Sequence, residues 1–456
     1  MKNIAKKILR EENFLSLIGN LIIALLGFAG FALLARSFPL DVFGQWVLLI
    51  SSGSFIEMFR FGITNTAIIR YLSGVNKEER MSFIGSNGLI GLIATVLISA
   101  VLLVCHFAFT DSIQRAGYEL FFTWYPLLAL INLPLNTALV VMQADQQFGK
   151  ILLVKAINSV SFFLVLLVNY LFLKMTLLQL VWAMLITTAI SSGVCMFFGW
   201  DGLRHIRKAT RHTNKVLLDF GKYTTFTLIG TNLLRSADTL IISLSPLGTA
   251  AVALYSIPMK LTELQQIPLR SFVATAFPKM SKASIQGKIQ EVRELFYTYS
   301  GAMSYLFVFV SLFTFIFADF FVLILGGRQY LGIDPVTGFN TVSIVRVFSV
   351  YGLLLPIDRM TGIGLDSINR PRINFIKVLY MVIINITGDL IAIFIFKSLI
   401  LVAVGSIIFT VIGTWIGFYF LSKELSLNYR FIFTDGIEFY KSLYRKFMNQ
   451  RILKTG

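Results

Sequence analysis

Between Leu228 and Phe277 an apolar stretch long enough for two helices carries Arg235, Asp238, Lys260, Glu263 and Arg270. Asp238 follows Arg235 by three residues and Glu263 follows Lys260 by three, so each pair shares a helix face. Lys260, Glu263 and Arg270 are spaced by three and then seven residues, which lines all three along one side. A charge at bilayer depth costs roughly 2.5–3.5 kcal/mol on insertion scales. Five on two helices cannot face lipid. They must line a wet interior or a seam between helices, which makes this stretch the functional centre of the chain.

Other apolar stretches hold Glu57, Arg60, Arg346, Asp358, Arg359 and Asp389. Local pairing accounts for Glu57–Arg60, Arg235–Asp238 and Lys260–Glu263. Asp358 and Arg359 are adjacent and so do not share a helix face. Arg270 and Arg346 have no acid at helical spacing, which singles them out for meeting an anion. The guanidinium fork donates two hydrogen bonds to a phosphate and stays charged when dehydrated. The residues expected to bind substrate are therefore Arg235, Lys260, Arg270, Arg346 and Arg60. Asp238, Glu263, Glu57, Asp358 and Asp389 are expected as their charge partners or as ion-coupling groups. Surplus arginine favours an anionic substrate, whereas an exporter of organic cations would be expected to show surplus acid.

Catalytic patterns are missing. The sequence has no His-x-x-x-His, paired-cysteine motif, P-loop or Gly-x-Ser-x-Gly, which excludes ATP hydrolysis by a P-loop. Any pumping must draw on a gradient or on the substrate itself. Cys105, Cys195, His106, His205 and His212 are scattered and form no metal-ligand set. No cofactor, metal or disulfide is expected.

These residues are positioned by a membrane protein. The chain of 456 residues is 56% hydrophobic and 14% charged, with a mean hydropathy of +0.77, against about 25% charged in soluble domains. Continuous apolar runs of about 20 residues favour helices over a barrel. Spans are expected at 14–35, 43–63, 84–107, 120–142, 151–173, 177–198, 223–244, 250–277, 296–318, 340–364, 373–396 and 399–421, twelve in all. The formal charge of +17 would fit nucleic acid, but its distribution fits cytoplasmic loops better. With the N-terminus inside, 29 of the 40 Lys and Arg fall in inner segments and 5 in outer ones, so both termini are expected in the cytoplasm. The first apolar run is too long for a signal peptide and is expected to stay as the first helix.

The two halves echo each other. Pro39-Leu40 precedes Glu57 much as Pro246-Leu247 precedes Glu263. Pro134-Leu135-Asn136 lies as far before Lys155 as Pro356-Ile357-Asp358 lies before Lys377. The expected organisation is a six-helix lobe over 1–198, a basic cytoplasmic linker over 199–222, a second six-helix lobe over 223–421 and a basic amphipathic tail over 422–456. Because both halves start inside, they would be parallel repeats. Residues 282–296 and the tail residues Ile437, Tyr440, Tyr444 and Phe447 are expected to form helices lying on the anionic inner leaflet. The longest outer loop, 319–339, leaves no room for an extracellular domain.

Several short motifs follow one another in a recognisable order. Leu34-Ala35-Arg36 with Phe43-Gly44, then Arg70-Tyr71, then Met142-Gln143-Ala144 with Gln147-Phe148, occupy the first half. Ala253-Leu254-Tyr255-Ser256-Ile257 with Lys260-Leu261, Phe277-Pro278-Lys279-Met280-Ser281 and Arg370-Pro371 occupy the second. In these the chain resembles the polysaccharide, or O-antigen, flippases. The resemblance implies membership of the superfamily that also holds multidrug exporters and the peptidoglycan-precursor flippase, with two six-helix lobes around a central cavity. It implies an oligosaccharide linked through pyrophosphate to a polyprenol, moved from the inner to the outer leaflet of a bacterial inner membrane. Membrane lipid would be a further partner, as would a polysaccharide polymerase and glycosyltransferases, and nucleic acid would not. The alternatives are a gradient-driven multidrug or small-molecule exporter and, as an enzyme, a glycan polymerase or ligase. The family has no sharp catalytic signature to carry over, so the site residues rest on burial of charge.

Overall fold

Apolar segments in lipid must close their backbone hydrogen bonds internally, and the chain does so by helices. A computed structural model describes residues 12–72, 76–334 and 338–455. Twelve long helices overlap the twelve expected stretches: α1 Glu12–Ser37, α2 Leu40–Leu72, α3 Lys77–Ala108, α4 Glu119–Ala144, α5 Phe148–Val168, α6 Leu177–Phe197, α7 Arg211–Ser243, α8 Gly248–Ile285, α9 Ile289–Ile316, α10 Thr341–Ser367, α11 Pro371–Leu390 and α12 Leu399–Leu425. The tail forms α13, Tyr429–Thr455. Among the described residues the sole β feature is a bridge between Ile333 and Asn340.

Nine of these helices are long and apolar enough to cross a membrane among the described residues. The other three are α1, described as apolar over Ile22–Ser37, and the charge-bearing α7 and α8. Rows at helical spacing, such as Leu97, Val101 and Val104 on α3 and Phe309, Leu312 and Ile316 on α9, are exposed. An uninterrupted apolar surface of that kind suits lipid and not water. The protein is a multi-pass membrane protein.

The chain divides into two compact units, Met1–Ala253 and Leu254–Gly456. In the first, α2 packs on α7, α1 on α5 and α3 on α4, over a core that includes Ile68, Phe83, Val140 and Leu217. In the second, α10 packs on α12, α9 on α10 and α13, and α11 on α12, with Met280, Phe296, Leu365 and Leu421 at the centre of one cluster.

Several backbone devices occur twice. A π-helical turn, Asn169–Leu173, extends α5, and another, Ile391–Ile395, extends α11. Each leads to a left-handed lysine, Lys174 and Lys397. Left-handed Gln146 precedes α5 as left-handed Asn369 precedes α11. The π-turns stand at the same distance beyond Lys155 and Lys377. The echo between the two halves is therefore one of backbone conformation as well as of sequence.

Four segments differ from expectation. Residues 282–296 are not one helix: α8 ends at Ile285 and α9 starts at Ile289, separated by a turn in which Gly287 takes φ +72°. The tail is helical, but part of its length packs on α9 instead of on a lipid surface. A Cβ on Gly301 would lie 2.0 Å from the carbonyl oxygen of Ile432 and 2.7 Å from the Cα of Gly436, and the Tyr440 hydroxyl donates to the Ala302 carbonyl at 2.9 Å. Residues 319–339, expected as a loop, contain most of a short helix, Ala318–Gly326, and a 3-10 turn, Arg328–Tyr330. The basic segment after α6 is also shorter than expected, since α7 already begins at Arg211.

Candidate functional site

Each unit holds a buried ionic cluster, and each has a different architecture. In the first unit Arg60 and Glu57, one turn apart on α2, form an ion pair. The arginine side chain is fully buried, while the glutamate keeps 25% of its exposure. Arg60 Nε and Nη2 donate to Thr95 Oγ1 of α3 at 3.1 and 2.8 Å, and Nη2 also donates to the Ala129 carbonyl of α4 at 2.6 Å. Glu57 accepts from the Tyr125 hydroxyl at 3.0 Å and from Asn136 Nδ2 at 3.1 Å. One guanidinium thus ties three helices. Its planar fork spreads donors towards acceptors on separate helices.

In the second unit Lys377 of α11 lies 2.6 Å from the carboxylate of Asp358 on α10. The same ammonium donates to the Asp358 carbonyl at 2.9 Å and to Thr361 Oγ1 at 3.1 Å. Gly417 of α12 leaves room for this junction, since a Cβ there would lie 2.6 Å from Thr361 Oγ1. Further along α11, fully buried Asp389 accepts from Asn385 Nδ2 at 3.2 Å.

The remaining expected residues, Asp238 apart, are more open. Lys260 pairs with Glu263 at 2.8 Å, with side chains 27% and 48% exposed. Arg346 pairs with Asp319, in the first turn of the helix Ala318–Gly326, at 2.9 Å and 42% and 63% exposure. Arg270 is exposed on α8. Asp238 is buried on α7, and the side chain of Arg235 lies outside the described residues.

Depth separates two kinds of cation. A half-exposed pair is worth about 0–1 kcal/mol, so the Lys260–Glu263 and Arg346–Asp319 pairs contribute little to stability. Removing one partner of a buried pair costs about 3–5 kcal/mol, so Arg60 cannot turn to a ligand without dismantling its junction. Among the described residues no group of His, Cys, Asp and Glu could hold a metal.

The sequence profile of the family described as "Polysaccharide biosynthesis protein" matches residues 9–284. The chain belongs to this family. No curated protein sequence is significantly similar to it. Among solved structures it is similar to an inward-facing multidrug-resistance MATE transporter of the MOP superfamily, with a TM-score of 0.73 and 15% identity over 89% of this chain and 94% of that one. It is similar to the lipid II flippase MurJ in an inward closed conformation, with a TM-score of 0.68 and 13% identity over 95% and 92% of the two chains. A MOP-superfamily transporter from Pyrococcus furiosus follows at 0.59 and 16%, over 90% and 94%. The resemblance read from the short motifs holds at the level of the family, and the fold is that of transporters and flippases.

Against the sequence reading, Glu57–Arg60 and Lys260–Glu263 pair as their spacing implies. Arg346, read as lacking an acid, has Asp319, supplied by a separate helix. Asp358 pairs with Lys377 and not with its neighbour Arg359, which is exposed. Lys377, one of the 29 cations assigned to inner segments, lies inside α11 and is 2% exposed. The clue was present: Lys377 stands at the same distance from Pro356 as Lys155 does from Pro134.

Proposed function

We propose that this protein is a flippase that carries a polyprenyl-pyrophosphate-linked oligosaccharide from the inner to the outer leaflet of a bacterial inner membrane by alternating access, with both termini in the cytoplasm. The observation that carries the reading is the polysaccharide-biosynthesis profile over residues 9–284 in a chain with a transporter fold. A lipid-linked glycan is the form in which such a fold can serve polysaccharide assembly without a catalytic centre.

In this reading Lys260, Arg270 and Arg346 attract the pyrophosphate, and Glu263 and Asp319 neutralise them when the site is empty. Arg60 with Glu57, and Lys377 with Asp358, hold helices in place. Asp389 with Asn385 is the group assigned to ion coupling. With the cell interior negative, outward movement of an anionic headgroup gains roughly 2.3 kcal/mol per charge per 100 mV. A polymerase and glycosyltransferases would act before and after this step.

The test uses purified protein in liposomes with a labelled polyprenyl-pyrophosphate oligosaccharide. The readout is the fraction of label reached from outside by an impermeant reagent. Wild type is expected to exchange label faster than empty liposomes, and a variant with Arg270→Gln and Arg346→Gln more slowly than wild type. Equal exchange by both removes these arginines from the mechanism. No exchange across several glycans and ion gradients, together with drug sensitivity of a deletion strain, moves the function to small-molecule export.

A further inference from the structure

The segment between α6 and α7 presents its cations from a rigid mount. Leu203–Lys208 is a 3-10 helix, and it lies so close to α3 that a Cβ on Gly85 would come within 2.1 Å of the His205 carbonyl oxygen. Ser82 Oγ donates to the Lys208 carbonyl at 2.9 Å, and Ser86 and Thr213 share a hydroxyl hydrogen bond of 2.7 Å. Thr210 caps α7 in a reciprocal box with Thr213. A loop whose positive charge served only to orient the chain would need none of this.

The cations on this mount are exposed and almost unopposed. Arg204, Arg207, Lys208 and Arg211 all reach the surface. From Gly199 to Asp219 the acids are Asp201, which is 4% exposed, and Asp219 two turns into α7. Lys150, at the start of α5, stands 5.3 Å over the ring of Trp200, which in turn stacks on Phe198 at 4.8 Å. Phe197 and Phe198 are 80% and 58% exposed, where α6 leaves its apolar span at Phe197. Exposed aromatic rings next to fixed cations at the end of a span place an apolar surface and a phosphate-binding surface in register with a leaflet boundary.

We propose that this segment is a binding site for anionic phospholipid of the bilayer. The lipid phosphates meet Arg204, Arg207, Lys208 and Arg211, and Phe197 and Phe198 enter the acyl region beside them. Rigid presentation lowers the ordering cost of binding, which distinguishes a retained lipid from diffuse attraction. The site does not depend on which substrate is carried. It requires only that the chain spans a membrane.

The test is lipid retention on purified full-length protein, read by native mass spectrometry after exchange into equimolar phosphatidylglycerol and phosphatidylcholine. Wild type is expected to retain phosphatidylglycerol in preference. Changing Arg204, Arg207, Lys208 and Arg211 to Gln together is expected to lower that retention at least about tenfold, since each basic residue near an anionic surface contributes about fivefold. Lys441→Gln with Arg445→Gln, two exposed cations of the tail, leaves it unchanged. Gly85→Leu keeps every cation but lifts the segment off α3, and it too lowers retention. Added inorganic phosphate at the same concentration does not displace the lipid. If the fourfold variant is not recovered, Arg204→Gln with Arg207→Gln gives the same reading with a smaller loss. Retention unchanged in the linker variants, a loss as large in the tail variant, or displacement by inorganic phosphate overturns the proposal.

Discussion

The ammonium of Lys377 lies 2.6 Å from the carboxylate of Asp358, and the lysine side chain is 3% exposed. A pair this deep is held by mutual compensation, so the two single losses and the joint loss differ in kind. Lys377→Met leaves an uncompensated buried carboxylate and is expected to cost about 3–5 kcal/mol, and Asp358→Leu is expected to cost as much. The double variant recovers most of that loss, because it removes both charges and leaves apolar side chains behind. Thermal unfolding of the three variants in one detergent checks this. Additive losses would mean that the two groups do not compensate each other.

Arg60 and Arg346 should part company when each becomes Gln. Arg60 joins α2, α3 and α4, so Arg60→Gln lowers the unfolding midpoint strongly. Arg346 holds one half-exposed carboxylate, so Arg346→Gln changes stability by no more than about 1 kcal/mol while it lowers transport. Transport assays paired with melting curves separate the two roles. Equal midpoints for both variants would contradict the sorting by depth.

The tail helix depends on a close backbone crossing. Gly301→Val places branched carbons where the Ile432 carbonyl and the Gly436 Cα already lie, and overpacking of this kind typically costs about 1–3 kcal/mol. The variant is expected to release α13 from α9. Limited proteolysis should then cut between α12 and α13 faster than in wild type, and an unchanged cleavage rate would show that the crossing tolerates the bulk.

Asp201 gives stability a pH dependence. Burial raises its carboxyl above the ordinary range, and nearby Arg204 only partly opposes this. A carboxyl raised in the folded state contributes stability that is complete below its unfolded value of about 3.9 and is lost as pH rises through the raised value. Asp201→Asn mimics the protonated form. It is expected to be more stable than wild type at neutral pH, and the difference should shrink as pH falls towards about 4. A difference that grows on acidification would reverse the sign and reject the burial argument.

Pairs within one helix were legible because the helical repeat alone brings residues three apart together, as in Glu57–Arg60 and Lys260–Glu263. The membrane class and the long helices were legible for a related reason: an apolar run that must satisfy its backbone in lipid has few conformations open to it. Residues 282–296 misled because an apolar period continues across Gly287, where the left-handed turn breaks the helix without breaking the pattern.

By itself, then, the sequence determined a helical multi-pass membrane protein, its family resemblance and the charge pairs local to one helix. Only the tertiary structure decided that Lys377 belongs with Asp358, that Arg346 belongs with Asp319 and that Thr95, Tyr125 and Asn136 complete the Arg60 junction. It also decided that the basic segment after α6 is fastened to α3. These relationships arise where separate elements cross, and burial there sets whether a charge is locked or free to exchange. Sequence spacing carries no record of which side chains from distant elements share that low-dielectric space.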